Sequence, residues 1–138
     1  MNYYALVSSS GGNVTVNGTG GGTTSPSGTN IGVYVYNATG VGLSTISAGG
    51  TGTVTVNGTG GPTSDGANYG VKTEGLGQIT SSGGDITILG IEGSGAVGIV
   101  NQGSITTATN GGNISLTANS IFIGSVSTVS TTNSGTTT

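Results

Sequence analysis

Residues 14–22 read Val14-Thr15-Val16-Asn17-Gly18-Thr19-Gly20-Gly21-Gly22, and 40 positions later the same words return as Val54-Thr55-Val56-Asn57-Gly58-Thr59-Gly60-Gly61. Aliphatic and hydroxyl side chains alternate at the head of each copy, which is the two-residue period of a strand with one face buried. Looser copies follow as Ile86-Thr87-Ile88 and Ile114-Ser115-Leu116, after steps of 32 and 28 residues. On this pattern Val14/Val16, Val54/Val56, Ile86/Ile88 and Ile114/Leu116 point inward. Thr15, Thr55, Thr87 and Ser115 form an outward column.

Two further blocks keep step with the first. Upstream stand Val7-Ser8-Ser9-Ser10-Gly11-Gly12, Ile46-Ser47-Ala48-Gly49-Gly50, Ile79-Thr80-Ser81-Ser82-Gly83-Gly84 and Ile105-Thr106-Thr107-Ala108, with anchors 39, 33 and 26 residues apart. Downstream stand Ile31-Gly32-Val33-Tyr34-Val35, Tyr69-Gly70-Val71-Lys72-Thr73, Val97-Gly98-Ile99-Val100-Asn101 and Ile121-Phe122-Ile123. A repeat of three short strands with no helical segment predicts an all-β fold, a parallel β-solenoid of about four coils. The shortening falls mainly between the second and third blocks, in residues 17–30, 57–68, 89–96 and 117–120, so the insertions share one edge. Pro26 and Pro62 lie in these loops, where no ladder donor is lost. The coils are expected over 1–124, and the Ser- and Thr-rich 125–138 reads as a partial coil or tail. Neither end carries a recognisable cap, which predicts either a segment of a longer array or ends that stack on ends.

Composition narrows the chemistry. The 138 residues include 31 Gly, 18 Ser and 25 Thr, with no His and no Cys, and only Asp65, Lys72, Glu74, Asp85 and Glu92 carry charge. The usual general bases, thiolates, zinc ligands and arginine clamps are therefore missing, and no enzyme and no cofactor are expected. A net charge of −3 with a single cation provides no basic stripe for a phosphate backbone, so nucleic acid is not an expected partner. No apolar run is long enough for a membrane span, and Met1 to Val7 lacks the basic start of a signal peptide.

Motifs that resemble sites have plainer readings. Gly93-Ser94-Gly95-Ala96-Val97-Gly98 matches the dinucleotide spacing but precedes no helix and no later acidic residue, so a loop is expected. Asp85 and Glu92 could in principle form a glycosidase pair, but without supporting residues they read as solvated acids, as Asp65 reads as a turn residue. Calcium or another metal would need converging carboxylates, so no metal site is expected. Five Asn-x-Ser/Thr sequons, at Asn13, Asn17, Asn37, Asn57 and Asn113, are about what this composition produces by chance. The Thr15 column suggests an ice-binding array, but its neighbour reads Asn13, Thr53, Asp85, Asn113, so a solvated strand face is expected.

The third block differs from the others. Its outward positions include Gly32, Gly70 and Gly98 in one column and Tyr34, Lys72, Val100 and Phe122 in the next. A glycine column beside an apolar one lets another chain approach closely, so this face is the candidate assembly or contact surface. A second reading is a carbohydrate-binding or carbohydrate-active solenoid, in which the long loops 17–30 and 57–68 form a binding edge with Tyr34, Tyr36 and Tyr69 nearby, although alternation turns Tyr69 inward.

The stretches GGNVTVNGTGGG, AGGTGTVTVNGTGGP, ANYGVKTEGLGQITSSGGDITI and TNGGNISLTANSIFIGSVST resemble filamentous-haemagglutinin-like exoproteins over nearly the whole chain. Those are bacterial surface or secreted repeat polypeptides, many exported by two-partner secretion, with right-handed β-helical shafts that serve adhesion, aggregation or biofilm. The resemblance implies a secreted or cell-surface location and a structural task. It carries over no catalytic residue, and the secretion-domain start and any adhesive tip are absent from the residues that match. The expected function is a structural repeat of an extracellular fibre or adhesin, with copies of itself and surface glycans as the expected partners.

Overall fold

A computed structural model describes residues 4–22, 28–38, 42–64, 66–108, 111–132 and 137–138. Pro26 and Asp65 lie outside the described residues. The described chain is all-β, with no helix, and its strands are β1 (Leu6–Ser9), β2 (Val14–Thr19), β3 (Val33–Asn37), β4 (Ser44–Ala48), β5 (Val54–Thr59), β6 (Val71–Ser81), β7 (Ile86–Ile91), β8 (Ile99–Thr107), β9 (Ile114–Thr117), β10 (Ile121–Ile123) and β11 (Thr128–Ser130). Every pairing between them is parallel.

The strands form two sheets. The first runs β1-β4-β6-β8-β10, with β3 also on β6 and β11 also on β8; the second runs β2-β5-β7-β9. Register follows the sequence blocks: Val14, Val54, Ile86 and Ile114 are successive partners in the second sheet. In the first sheet Val7, Ile46, Ile79, Ile105 and Val129 form one column, and Val33, Val71, Ile99 and Ile121 another. The C-terminal residues thus continue the stack through β11, and Thr137 bridges to Ile114.

One feature departs from three separate strands per pass. The third block runs into the first block of the next pass, so β6 and β8 are long strands shared by two columns. The bend between them is local to Gly75-Leu76-Gly77, where the register shifts and Gly75 takes φ 61°. A side chain on Gly77 would put its Cβ 2.0 Å from the Val35 carbonyl oxygen, so the kink tolerates only glycine there.

Strict alternation fills the interior. Val54, Val56, Ile79, Ile86, Ile88, Ile105 and Ile114 are fully buried, each worth about 1.5–3 kcal/mol relative to exposure. The interior then narrows along each strand of the second sheet. Val54 and Val56 are followed on the same face by Gly58, and Ile86 and Ile88 by Gly90, where a Cβ would lie 2.1 and 2.2 Å from the carbonyl oxygens of Gly70 and Gly98. The two sheets converge into a wedge, and glycine is what its thin edge admits. The buried asparagines are tied into the sheets: Asn101 accepts from Thr73 Oγ1 and from the Gly103 N–H and donates to the Thr128 carbonyl. Asn68, fully buried, donates to the Thr63 carbonyl and accepts from Asn30 Nδ2 at 3.2 Å.

Candidate functional site

The predicted contact column exists in the ladder. Tyr34, Lys72, Val100 and Phe122 are successive partners across β3, β6, β8 and β10. Their exposure is uneven: Tyr34 is 45% exposed and Phe122 49%, whereas Val100 is 5% exposed and breaks the stripe in two.

The glycine column is not beside it on the outside. Gly70 and Gly98 are buried and Gly32 half-buried, at the inner corner where the sheets converge. Cβ atoms on Gly18, Gly58 and Gly90 would lie 2.0, 2.1 and 2.2 Å from the carbonyl oxygens of Gly32, Gly70 and Gly98 respectively. The close approach these residues permit is therefore between the two sheets of one chain. Alternation misplaces them because the strands begin one residue later, at Val33, Val71 and Ile99. The same boundary displaces Tyr69: its ring centroid lies 5.6 Å from Lys72 Nζ, so it joins the outward lysine instead of the core.

What assembles on the outer face of β3 and β6 is a cluster. Cross-strand register sets Tyr34 beside Lys72 and Tyr36 beside Glu74. The Tyr34 and Tyr36 rings stack with centroids 5.3 Å apart and planes inclined by 16°. Lys72 Nζ lies 5.3 Å from the Tyr34 ring centroid and 2.8 Å from Glu74 Oε2. The Tyr34 hydroxyl donates to that same carboxylate oxygen. Hydrogen bonds from Lys72 first and Tyr34 second hold the Glu74 carboxyl below the usual range. Partial burial, then the Glu74 hydrogen bond and charge, push the Tyr34 phenol well above its ordinary value. The Tyr-x-Tyr and Lys-x-Glu spacings in aligned blocks carry this pairing in the sequence.

Of the other acids, the two among the described residues, Asp85 and Glu92, have structural partners. Asp85 Oδ1 accepts the Asn113 N–H at 2.7 Å, as Asn13 Oδ1 accepts the Thr53 N–H at 2.9 Å two column positions earlier. Glu92 Oε1 accepts from Asn119 Nδ2 at 2.8 Å. Asp85 precedes and Glu92 follows β7, so about 23 Å of extended chain separates them, beyond the roughly 5–9.5 Å of a glycosidase pair. Gly93 to Gly98 connects β7 to β8 and leads into a strand. Among the described residues no three acidic side chains gather as metal ligands would. Sequon asparagines are tied into the fold: Asn57 Nδ2 donates to Asn17 Oδ1 at 2.8 Å, and buried Asn37 donates to the Gly42 carbonyl at 2.7 Å.

No protein-family model, curated protein or solved structure matches this chain.

Proposed function

We propose that the chain is a stiff structural segment of an extracellular bacterial fibre or adhesin shaft, wound as a right-handed solenoid of about four coils. The observation that carries this reading is the unbroken aliphatic column Val14–Val54–Ile86–Ile114 of one sheet, sharing one core with Ile46, Ile79, Ile105 and Val129 of the other. Right-handed winding follows the usual chirality of parallel crossovers and the likeness to haemagglutinin-type repeats. A secreted or cell-surface location rests on that likeness.

Stacked parallel ladders resist bending because every added pass contributes backbone hydrogen bonds along the stacking direction. Charge is confined to residues 65–92, so the strands at either end of the stack, β1 and β11, carry none of the lysines that usually discourage edge pairing. A second copy's β1 laid on β11 would extend the Val7–Val129 column, which makes another copy of the chain the proposed partner. The test is electron microscopy with fibre diffraction on concentrated protein. Elongated particles with a repeat of about 4.8 Å along their axis are expected; dispersed, unassembled monomers at high concentration would sink the reading.

A further inference from the structure

We infer that the outer face of the first sheet at Tyr34, Tyr36, Tyr69, Lys72 and Glu74 is a binding subsite for a neutral saccharide. The cluster stands apart from the rest of the surface. In a chain of Gly, Ser and Thr it brings together three of the five tyrosines and two of the five charged residues. It is not core: Tyr34 and Tyr36 are 45% and 44% exposed.

It is also preorganised. The two stacked rings support one another, Lys72 lies near the faces of Tyr34 and Tyr69, and Glu74 ties Lys72 to the Tyr34 hydroxyl. Few rotors remain to be ordered on binding, since a tyrosine has only two side-chain torsions. The chemistry fits a pyranose. Tyrosine offers an apolar ring face for the C–H side of a sugar and a hydroxyl at its rim, while a carboxylate accepts and an ammonium donates to sugar hydroxyls. Charge decides which saccharide. Lys72, the sole cation, is neutralised by Glu74 at 2.8 Å, and the chain carries a net −3, so a polyanionic glycan gains nothing and is repelled.

A single open platform binds weakly, with Kd of about 1 mM, and gains avidity when copies of the chain present it repeatedly. The chain has no Trp, so its intrinsic fluorescence comes from five tyrosines, three of them in this cluster. The experiment titrates the intact chain with neutral cello-, xylo-, manno- and chito-oligosaccharides, and separately with dextran sulfate. Saturable tyrosine response to at least one neutral series is expected, weakened about tenfold or more by Tyr36→Ala and unchanged by Tyr4→Ala. Circular dichroism establishes that each variant is folded; should Tyr36→Ala unfold, Tyr36→Leu keeps bulk on the sheet while removing the planar face and is expected to lose the same affinity. Absence of saturation with every neutral series, affinity indifferent to Tyr36, or tighter binding of dextran sulfate would overturn the assignment. Filaments without sugar binding would sink this inference and leave the shaft reading standing.

Discussion

At the scale of single residues, two kinds of position carry the fold, and both are testable. Gly58 sits where the sheets converge, with the Gly70 carbonyl oxygen 2.1 Å from the place a Cβ would occupy, whereas a Cβ on Gly11 meets nothing within 4 Å. Gly58→Ala is expected to destabilise by about 1–3 kcal/mol and Gly11→Ala by less than about 0.5 kcal/mol, read as shifts in the urea midpoint. Equal effects would mean that the convergence does not constrain the backbone. The cluster at Glu74 makes a second prediction, in pH. Its carboxyl is held below the unfolded value of about 4.3, so its contribution is present above that pH and is lost as acid titrates the folded group. The raised Tyr34 phenol works in the opposite window, its contribution being complete below about pH 10 and lost as pH rises towards the folded value. Glu74→Gln should flatten the acid limb of a stability–pH curve and Tyr34→Phe the alkaline limb; limbs unchanged in both variants would show that the contacts are not formed in solution.

At the scale of elements, successive strands are joined by more than the ladder. Asn13 and Asp85 each receive a backbone N–H from the next pass, so Asp85 acts as an acceptor and its charge is incidental. Asp85→Asn is therefore expected to be nearly neutral and Asp85→Ala to cost about 1 kcal/mol, both from chemical denaturation; an Asn variant as damaging as Ala would restore a role for the charge. Much of this level is legible in the sequence. Alternation at Val14/Val16 and Val54/Val56 gives the register of the second sheet because the period of a strand leaves one face no other option. What is not legible is where alternation starts. Gly32, Gly70, Gly98 and Tyr69 precede their strands, and the two-residue rule does not reach across a bend. The fusion of two blocks into β6 is hidden for a related reason: the strand runs on through Gly75-Leu76-Gly77 with only a register shift. The tyrosine cluster is half legible, since aligned blocks pair Tyr34 with Lys72 and Tyr36 with Glu74, but ring stacking and the reach of Lys72 to Tyr69 depend on side-chain placement.

At the scale of the whole molecule, each pass touches only its neighbours, so stability is distributed along the stack as a chain of adjacent interfaces. Strands with partners on both sides, β5, β6 and β7, are sealed by fully buried Val54, Val56, Ile79, Ile86 and Ile88, while β1 and β10 expose Leu6, Val7, Ile121, Phe122 and Ile123. Amide hydrogen exchange should rank accordingly, slowest in β5 to β7 and fastest in β1, β10 and β11. Ile88→Ala tests the coupling directly. The side chain is fully buried between the Val56 and Leu116 positions of its column, and its truncation leaves a cavity expected to cost about 2–5 kcal/mol. In a nearest-neighbour stack that loss cannot stay in β7: protection should fall in β5 and β9 as well, and fall less in β1. A drop confined to β7, or one uniform across all strands, would mean that the passes are not coupled as neighbours, and a rod built from them would have no physical basis for its stiffness.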